Sequence, residues 1–256
     1  MVLALPFGLA IGLSLGALGG GGAVLALPVL VYVLEQDVHA ATTESLAVVA
    51  AAALAGGAVQ ASRARVCWPQ VVLFAPATLV GAILGTLAGQ AVSDAVLLIG
   101  FVPVLLGAAA FTWRRAGAGG EADRACPPLD RDRTLIAGVA VGLLTGFFGV
   151  GGGFLVVPML ALTMGFPLRR AIGTSLVIVG FVSLAGLGAH LSRGADLDAG
   201  IAAAMAVACA AGALAGARLS ERLPQRALGH AFALLLGAVG VYILIEGALL
   251  GGPRGA

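Results

Sequence analysis

The sequence predicts an all-α integral membrane protein: a polytopic helical bundle of two inverted repeats, each opening with a glycine-broken or re-entrant helical segment. Three observations predict it. Of 256 residues, 60% are hydrophobic and only 10% charged, against about 45–50% apolar and about 25% charged in soluble domains. The mean hydropathy of +1.08 leaves too little polar surface to cover a water-soluble globule. The apolar residues also run on continuously, without the alternation of an outer-membrane barrel. A soluble enzyme, a nucleic-acid binder and a disordered chain are excluded.

The elements follow from the polar punctuation. Apolar runs occupy 2–34, 40–61, 69–90, 95–113, 134–164, 171–191, 197–217 and 227–251, and about 20 apolar residues suffice for one membrane helix. The first run lacks a basic start and continues past residue 30, so it reads as a retained segment rather than a cleaved signal. The one long polar interval, 114–133, carries Arg114, Arg115, Glu121, Asp123, Arg124, Asp130, Arg131, Asp132 and Arg133 among Gly and Pro. It reads as a solvated cytoplasmic linker between membrane repeat 1 (1–113) and membrane repeat 2 (134–256).

The two halves repeat each other. A shift of 130 residues places Gly16, Gly19, Gly21, Gly22, Leu25, Pro28 and Leu30 on Gly146, Gly149, Gly151, Gly152, Leu155, Pro158 and Leu160. The same shift places Ala41, Ser45 and Leu46 on Ala171, Ser175 and Leu176, and Ser62-Arg63 on Ser192-Arg193. A shift of 131 pairs Gly81 and Gly85 with Gly212 and Gly216. Internal repeats of this kind are frequent in transporters.

Arginine placement sets the orientation. All fourteen basic residues are Arg. If every run crosses once, nine fall on one side and five on the other; if the first run of each half returns to the face it entered by, twelve fall on one side and two on the other. The positive-inside rule prefers the second arrangement, in which the halves are inverted. Length agrees: the 33 residues of 2–34 would make a helix of about 50 Å, against a hydrocarbon core of about 30 Å. The break is expected at Gly19–Gly22 and at Gly149–Gly153, since each helical glycine costs about 1 kcal/mol relative to alanine, with Pro28 and Pro158 just beyond.

Such breaks suggest a binding site. A half-helix that starts after the glycines presents N–H groups without intrahelical acceptors and the positive end of its dipole, a combination that attracts anions. The candidate substrate-binding residues are therefore Gly19, Gly21, Gly22, Gly149, Gly151, Gly152 and Gly153, with hydroxyls from Thr42, Thr43, Ser45, Thr174 and Ser175. The spaced glycines Gly81, Gly85 and Gly89, and Gly212 and Gly216, read instead as helix-packing positions. Glu44 sits inside the repeated motif and is the candidate carrier of a coupling proton; Glu246, His190 and His230 read as interfacial. Cys67, Cys126 and Cys209 are scattered singly and suggest neither a metal site nor a disulfide pair. No catalytic residue, metal or cofactor is expected.

The run Gly146-Phe147-Phe148-Gly149-Val150-Gly151-Gly152-Gly153 with Pro158, then Ala171, Gly173, Thr174, Ser175 and Leu176, resembles the TauE/SafE sulfite exporter family of membrane permeases. Gly19–Gly22 and Pro28 look like its partner copy. The resemblance implies transport of a small sulfur-containing anion, such as sulfite or a sulfonate, across a bacterial inner membrane. The first copy departs from the second: Ala23 stands at the place of Gly153, and Thr43-Glu44-Ser45 at that of Gly173-Thr174-Ser175.

Three functions compete. A permease for a small anion accounts for repeats, breaks and resemblance together. A channel-like pore for a neutral solute would share the broken helices but show neither saturation nor coupling. An intramembrane enzyme would need a paired catalytic arrangement that the sequence lacks, and a scaffold would not need two glycine breaks. The expected partners are the lipid bilayer, the anion and a coupling proton or ion, with no nucleic acid.

Overall fold

The computed structural model describes residues 4–30, 38–89, 94–117, 126–148, 153–192 and 198–249. The described residues form helices and no strand. In chain order, α1 (Ala4–Leu18) leads through a 3-10 turn at Gly20–Gly22 into the short α2 (Ala23–Pro28), followed by α3 (Val38–Ser62), α4 (Trp68–Gly89) and α5 (Asp94–Gly117). The second half holds α6 (Arg131–Phe148), α7 (Gly153–Thr163), α8 (Leu168–Ser192), α9 (Ala199–Arg222) and α10 (Gln225–Leu249). The starts of α4, α8, α9 and α10 lie within a few residues of the starts of the apolar runs, because proline and a capping residue set them. Pro69, Pro167 and Pro224 stand at or just before the starts of α4, α8 and α10, and the Asp198 carboxylate accepts the Gly200 and Ile201 N–H groups at the start of α9.

Among the described residues, Ala40–Ser62, Trp68–Gly89, Leu168–Ser192 and Ala199–Arg222 are long and apolar enough to cross a membrane. Their outer faces suit lipid. On α4, Val72, Val80, Ile83 and Leu87 are exposed, while Phe74, Ala77, Thr78, Gly81 and Gly85 on the other face are buried. Trp68 and Trp113 are exposed near helix ends, where aromatic rings sit at the headgroup level. His230 packs on Trp113 with ring centroids 4.4 Å apart, which places it beside that ring as an interfacial group.

The closest helix pairs cross between the halves. A Cβ added at Gly81 or Gly85 of α4 would strike the carbonyl of Val139 or Leu143 on α6, and one added at Gly142 or Gly146 would strike Thr78 or Ala82 in return. The other half copies this. Gly212 and Gly216 of α9 sit on the carbonyls of Leu9 and Leu13, and Gly12 and Gly16 of α1 on those of Cys209 and Ala213. Each contact maps onto its counterpart by the 130- and 131-residue shifts, so the packing expected of these glycines is what they do.

The same contacts fix directions. Residue numbers rise together along α4 and α6 and along α1 and α9, so the helices of each pair run parallel. Along α3 and α8 they oppose: Gly57 meets Val177, Gly180 meets Leu54, and Gly186 meets Leu46. Both glycine-broken segments fold back. Thr134 at the start of α6 donates to the Met164 sulfur just after α7, at 3.9 Å, so this segment returns to the end it left. In the first half a Cβ on Gly22 would lie 2.7 Å from the Ile11 carbonyl of α1, which reverses the chain there too.

The arginine-rich segments gather at one end of the bundle. Arg63 and Arg65 reach Glu221 at 3.2 and 3.7 Å. Arg169 donates to the Leu223 carbonyl at 2.9 Å, and Arg170 to that of Ala64 at 3.0 Å. Gln70, buried at the start of α4, donates to the Pro127 carbonyl at 2.9 Å. One expectation fails here. Cys67 and Cys126 are joined by a disulfide, with Cα atoms 5.8 Å apart, although their spacing suggested no pair. They lie 59 residues apart, and only the return of α3–α5 to the same end brings the α3–α4 turn beside the linker. Cys209 is free and buried, and its thiol donates to the Gly8 carbonyl at 2.9 Å within the α1–α9 seam. Arg124, Arg193 and Arg254, with Glu121 and Asp123, lie outside the described residues.

Candidate functional site

The 3-10 turn of the first half meets the start of the broken helix of the second. Gly19 has φ 78° and ψ −145°, a conformation in practice reserved to glycine. That bend turns Gly20 directly onto Gly153: a Cβ at Gly20 would fall on the Gly153 carbonyl, and one at Gly153 would lie 3.0 Å from the Gly20 carbonyl. A Cβ at Gly19 would lie 2.8 Å from the Ser175 hydroxyl of α8 and 2.8 Å from Val157 of α7. Gly19, Gly153 and Ser175 are thus brought together. Gly21 instead packs on the Phe232 ring of α10, and Gly22 on α1. All three glycines of the turn are buried.

Gly20 was not among the expected site residues. The repeat pairs Gly19, Gly21 and Gly22 with glycines but sets Gly20 opposite Val150, so symmetry gave no reason to select it. Its glycine is required by the partner half, not by its own copy. Gly149, Gly151 and Gly152 lie outside the described residues.

The hydroxyls and Glu44 occupy other places. Ser175 donates to the Ile172 carbonyl at 2.8 Å, and Ser45 to that of Thr42 at 2.8 Å, each bonding back to its own helix. Thr43 is buried and lies 3.3 Å from the His190 Nδ1. Thr174 accepts the Cys67 N–H at 3.2 Å, and Glu44 accepts the Asp198 N–H through Oε1 at 3.3 Å. These last two bonds are repeat equivalents. Each side chain holds the residue just before a helix, α4 or α9, at opposite ends of the bundle. Glu44 is fully buried and its Oε2 has no hydrogen-bond partner. The expectation missed Asp198 as the partner of Glu44 and His190 as that of Thr43, because the sequence gives no sign that the end of α8 and the start of α9 meet the start of α3.

Beside α7 lies a partly open cavity of about 230 Å³, between it, α5 and α6, lined by Pro103, Val104, Leu144, Leu155, Pro158 and Met159 among others. Its walls are apolar and offer nothing to an anion. Among the described residues, no group of three His, Cys, Asp or Glu side chains is placed to hold a metal.

The family model of the sulfite exporter TauE/SafE matches residues 4–243. The chain belongs to the TauE/SafE sulfite exporter family. A probable membrane transporter protein of Xylella fastidiosa is 33% identical over 187 residues, covering 72% of this chain and 71% of its own. Shorter stretches match the probable membrane transporter protein YunE of Bacillus subtilis, 43% identical over 54 residues (21% of this chain, 20% of that one). Another in Methanocaldococcus jannaschii is 34% identical over 62 residues (24% and 23%). No solved structure matches. This TauE/SafE member is a multi-pass membrane transporter, and both glycine-rich stretches lie within the residues that its family model matches.

Proposed function

We propose that the protein carries a small anion across the bacterial inner membrane, and that the anion is a sulfur-containing one such as sulfite or a sulfonate. The observation that carries this reading is the seating of Gly20 on Gly153 with Gly19 against Ser175. Two broken segments, one from each half, meet inside the bundle. Backbone that departs from a regular helix at membrane depth is tolerated where protein buries it or where it lines a polar path. The first turn of α7 offers N–H groups that its own helix does not use. In the present conformation backbone packs on backbone there, so the path is closed at this point. Separating α7 from the turn opens it to an anion.

The inverted arrangement supports the same reading. The equivalent helices α3 and α8 run antiparallel, and the broken segments fold back from opposite ends. On this reading a two-fold axis in the membrane plane relates the halves, an arrangement found in many transporters that work by alternating access. In proteoliposomes we expect saturable sulfite flux, competed by small sulfonates and indifferent to neutral solutes. Unsaturable passage of a neutral solute would favour a pore instead.

Orientation follows from the arginines, which put 114–133, 165–170 and 218–226 in the cytoplasm. Single cysteines placed at 129, 165 and 223 in a cysteine-free background should all react only with membrane-permeant maleimide in intact cells; position 165 is exposed and has open space around it. Labelling of position 165 by an impermeant reagent contradicts the inverted arrangement. For Glu44, the Oε2 left without a hydrogen-bond partner is where a coupling proton would sit. Glu44→Gln keeps an oxygen for the Asp198 N–H and should preserve folding while flattening the dependence of flux on pH. An unchanged pH profile would remove Glu44 from coupling.

A further inference from the structure

The Cys67–Cys126 disulfide stands at the arginine-rich end, the cytoplasmic one on the reading above, on which this inference rests. Disulfides facing a reducing cytosol are usually transient and regulatory rather than structural. Its two sulfurs are unequal. Cys67 is fully buried at the start of α4, where its carbonyl accepts the Gln70 and Val71 N–H groups at 3.1 and 3.2 Å. Cys126 is exposed, and the Arg170 guanidinium lies 3.5 Å from its sulfur. An incoming anionic nucleophile therefore meets one sulfur only, with a cation beside it.

The bond also ties three elements together. Cys67 belongs to the α3–α4 turn, Cys126 to the linker just ahead of α6, and Arg170, on α8, donates to both Cys126 and the Ala64 carbonyl. The Cys67 N–H in turn holds Thr174 at 3.2 Å. Thr174 precedes Ser175, the residue of α8 that lies against Gly19. A crosslink here, with the hydrogen bonds of Arg170 and Thr174, restrains α8, which carries Ser175 against the turn that closes the path.

We propose that this disulfide is a latch, opened by attack of a sulfur nucleophile on the Cys126 sulfur, and that its opening speeds the transporter. With sulfite, the sulfur lone pair bonds to Cys126 Sγ and the Sγ–Sγ bond breaks. The electron pair leaves on Cys67 as thiolate, which takes a proton from water once the opened turn admits it. Cys126 becomes an S-sulfonate; the sulfite sulfur is oxidised and the Cys67 sulfur reduced. With a dithiol, the first thiolate forms a mixed disulfide at Cys126, and the second displaces it, leaving two protein thiols and an oxidised dithiol. In the sulfite case the transported anion would release its own carrier.

The test uses the full chain in liposomes, with the disulfide first formed by mild oxidation. Flux, mass of the Cys126 peptide and hydrogen exchange at 168–176 are read after buffer alone, a dithiol, or sulfite. Both reagents should raise flux several-fold and raise exchange at the start of α8, and only sulfite should leave an S-sulfonate on Cys126. Cys126→Ser should show the raised flux and exchange without treatment and respond to neither reagent. Equal flux and equal exchange in the oxidised and reduced protein overturn the latch, as does a response that persists in Cys126→Ser. If a dithiol acts and sulfite does not, the latch stands as a redox device and the part assigned to sulfite falls. If no anion is carried at all, the transport reading fails, and the exchange measurement still decides whether the bond restrains α8.

Discussion

Gly20→Val should abolish anion flux while the protein still inserts in the membrane. A Cβ at this position falls on the Gly153 carbonyl, and a backbone atom cannot rotate aside. The turn and α7 must then move apart, and overpacking of this kind typically costs about 1–3 kcal/mol. A bundle held by many other contacts tolerates that, but it breaks the contact of Gly20 with Gly153 on which the proposed path closes. Gly21→Ala is the matched control. Its Cβ would meet the edge of the Phe232 ring at 2.7 Å, a side chain that can shift, so its flux should fall far less. Counterflow in proteoliposomes, beside membrane yield and elution profile in detergent, reads both. Near-normal flux in Gly20→Val would take the meeting of the two turns out of the transport mechanism.

That position illustrates where sequence reasoning stopped. Hydropathy placed the helices, because lipid imposes long apolar runs, and proline or Asp198 marks where α4, α8, α9 and α10 begin. The repeat located the packing glycines, because symmetry forces matched small residues onto both helix pairs. What symmetry could not show was any contact in which the copies differ. Gly20 faces Gly153 across the halves although its own counterpart is Val150, and Glu44 does with a carboxylate what Thr174 does with a hydroxyl. Neither function of these residues is written in their own neighbourhood. The Cys67–Cys126 bond was invisible for a related reason. It joins a turn to a linker that only the completed bundle brings together, and lone cysteines in an Ala-rich chain look like any other small apolar residue.

The repeated architecture makes a second demand that can be tested on stability alone. Gly16 of α1 and Gly146 of α6 are repeat equivalents, and each lies on a backbone carbonyl of the partner half, that of Ala213 or of Ala82. In lipid no hydrophobic force draws helices together, so close approach through small residues supplies much of the association, with Cα–H contacts to carbonyls adding to it. Valine at either position must pry a helix pair apart. We expect Gly16→Val and Gly146→Val each to destabilise the protein by about 1–3 kcal/mol, with similar falls in thermal midpoint in detergent. Because they act on different seams, the double variant should lose about the sum, within about 0.5 kcal/mol. Gly12→Val combined with Gly16→Val should lose less than the sum, since both open the α1–α9 seam, where Gly12 lies on Cys209. A protein that tolerates valine at Gly146 but not at Gly16 would mean that the two seams are not equivalent, and the two-fold relation between the halves would then fail where it is most directly visible.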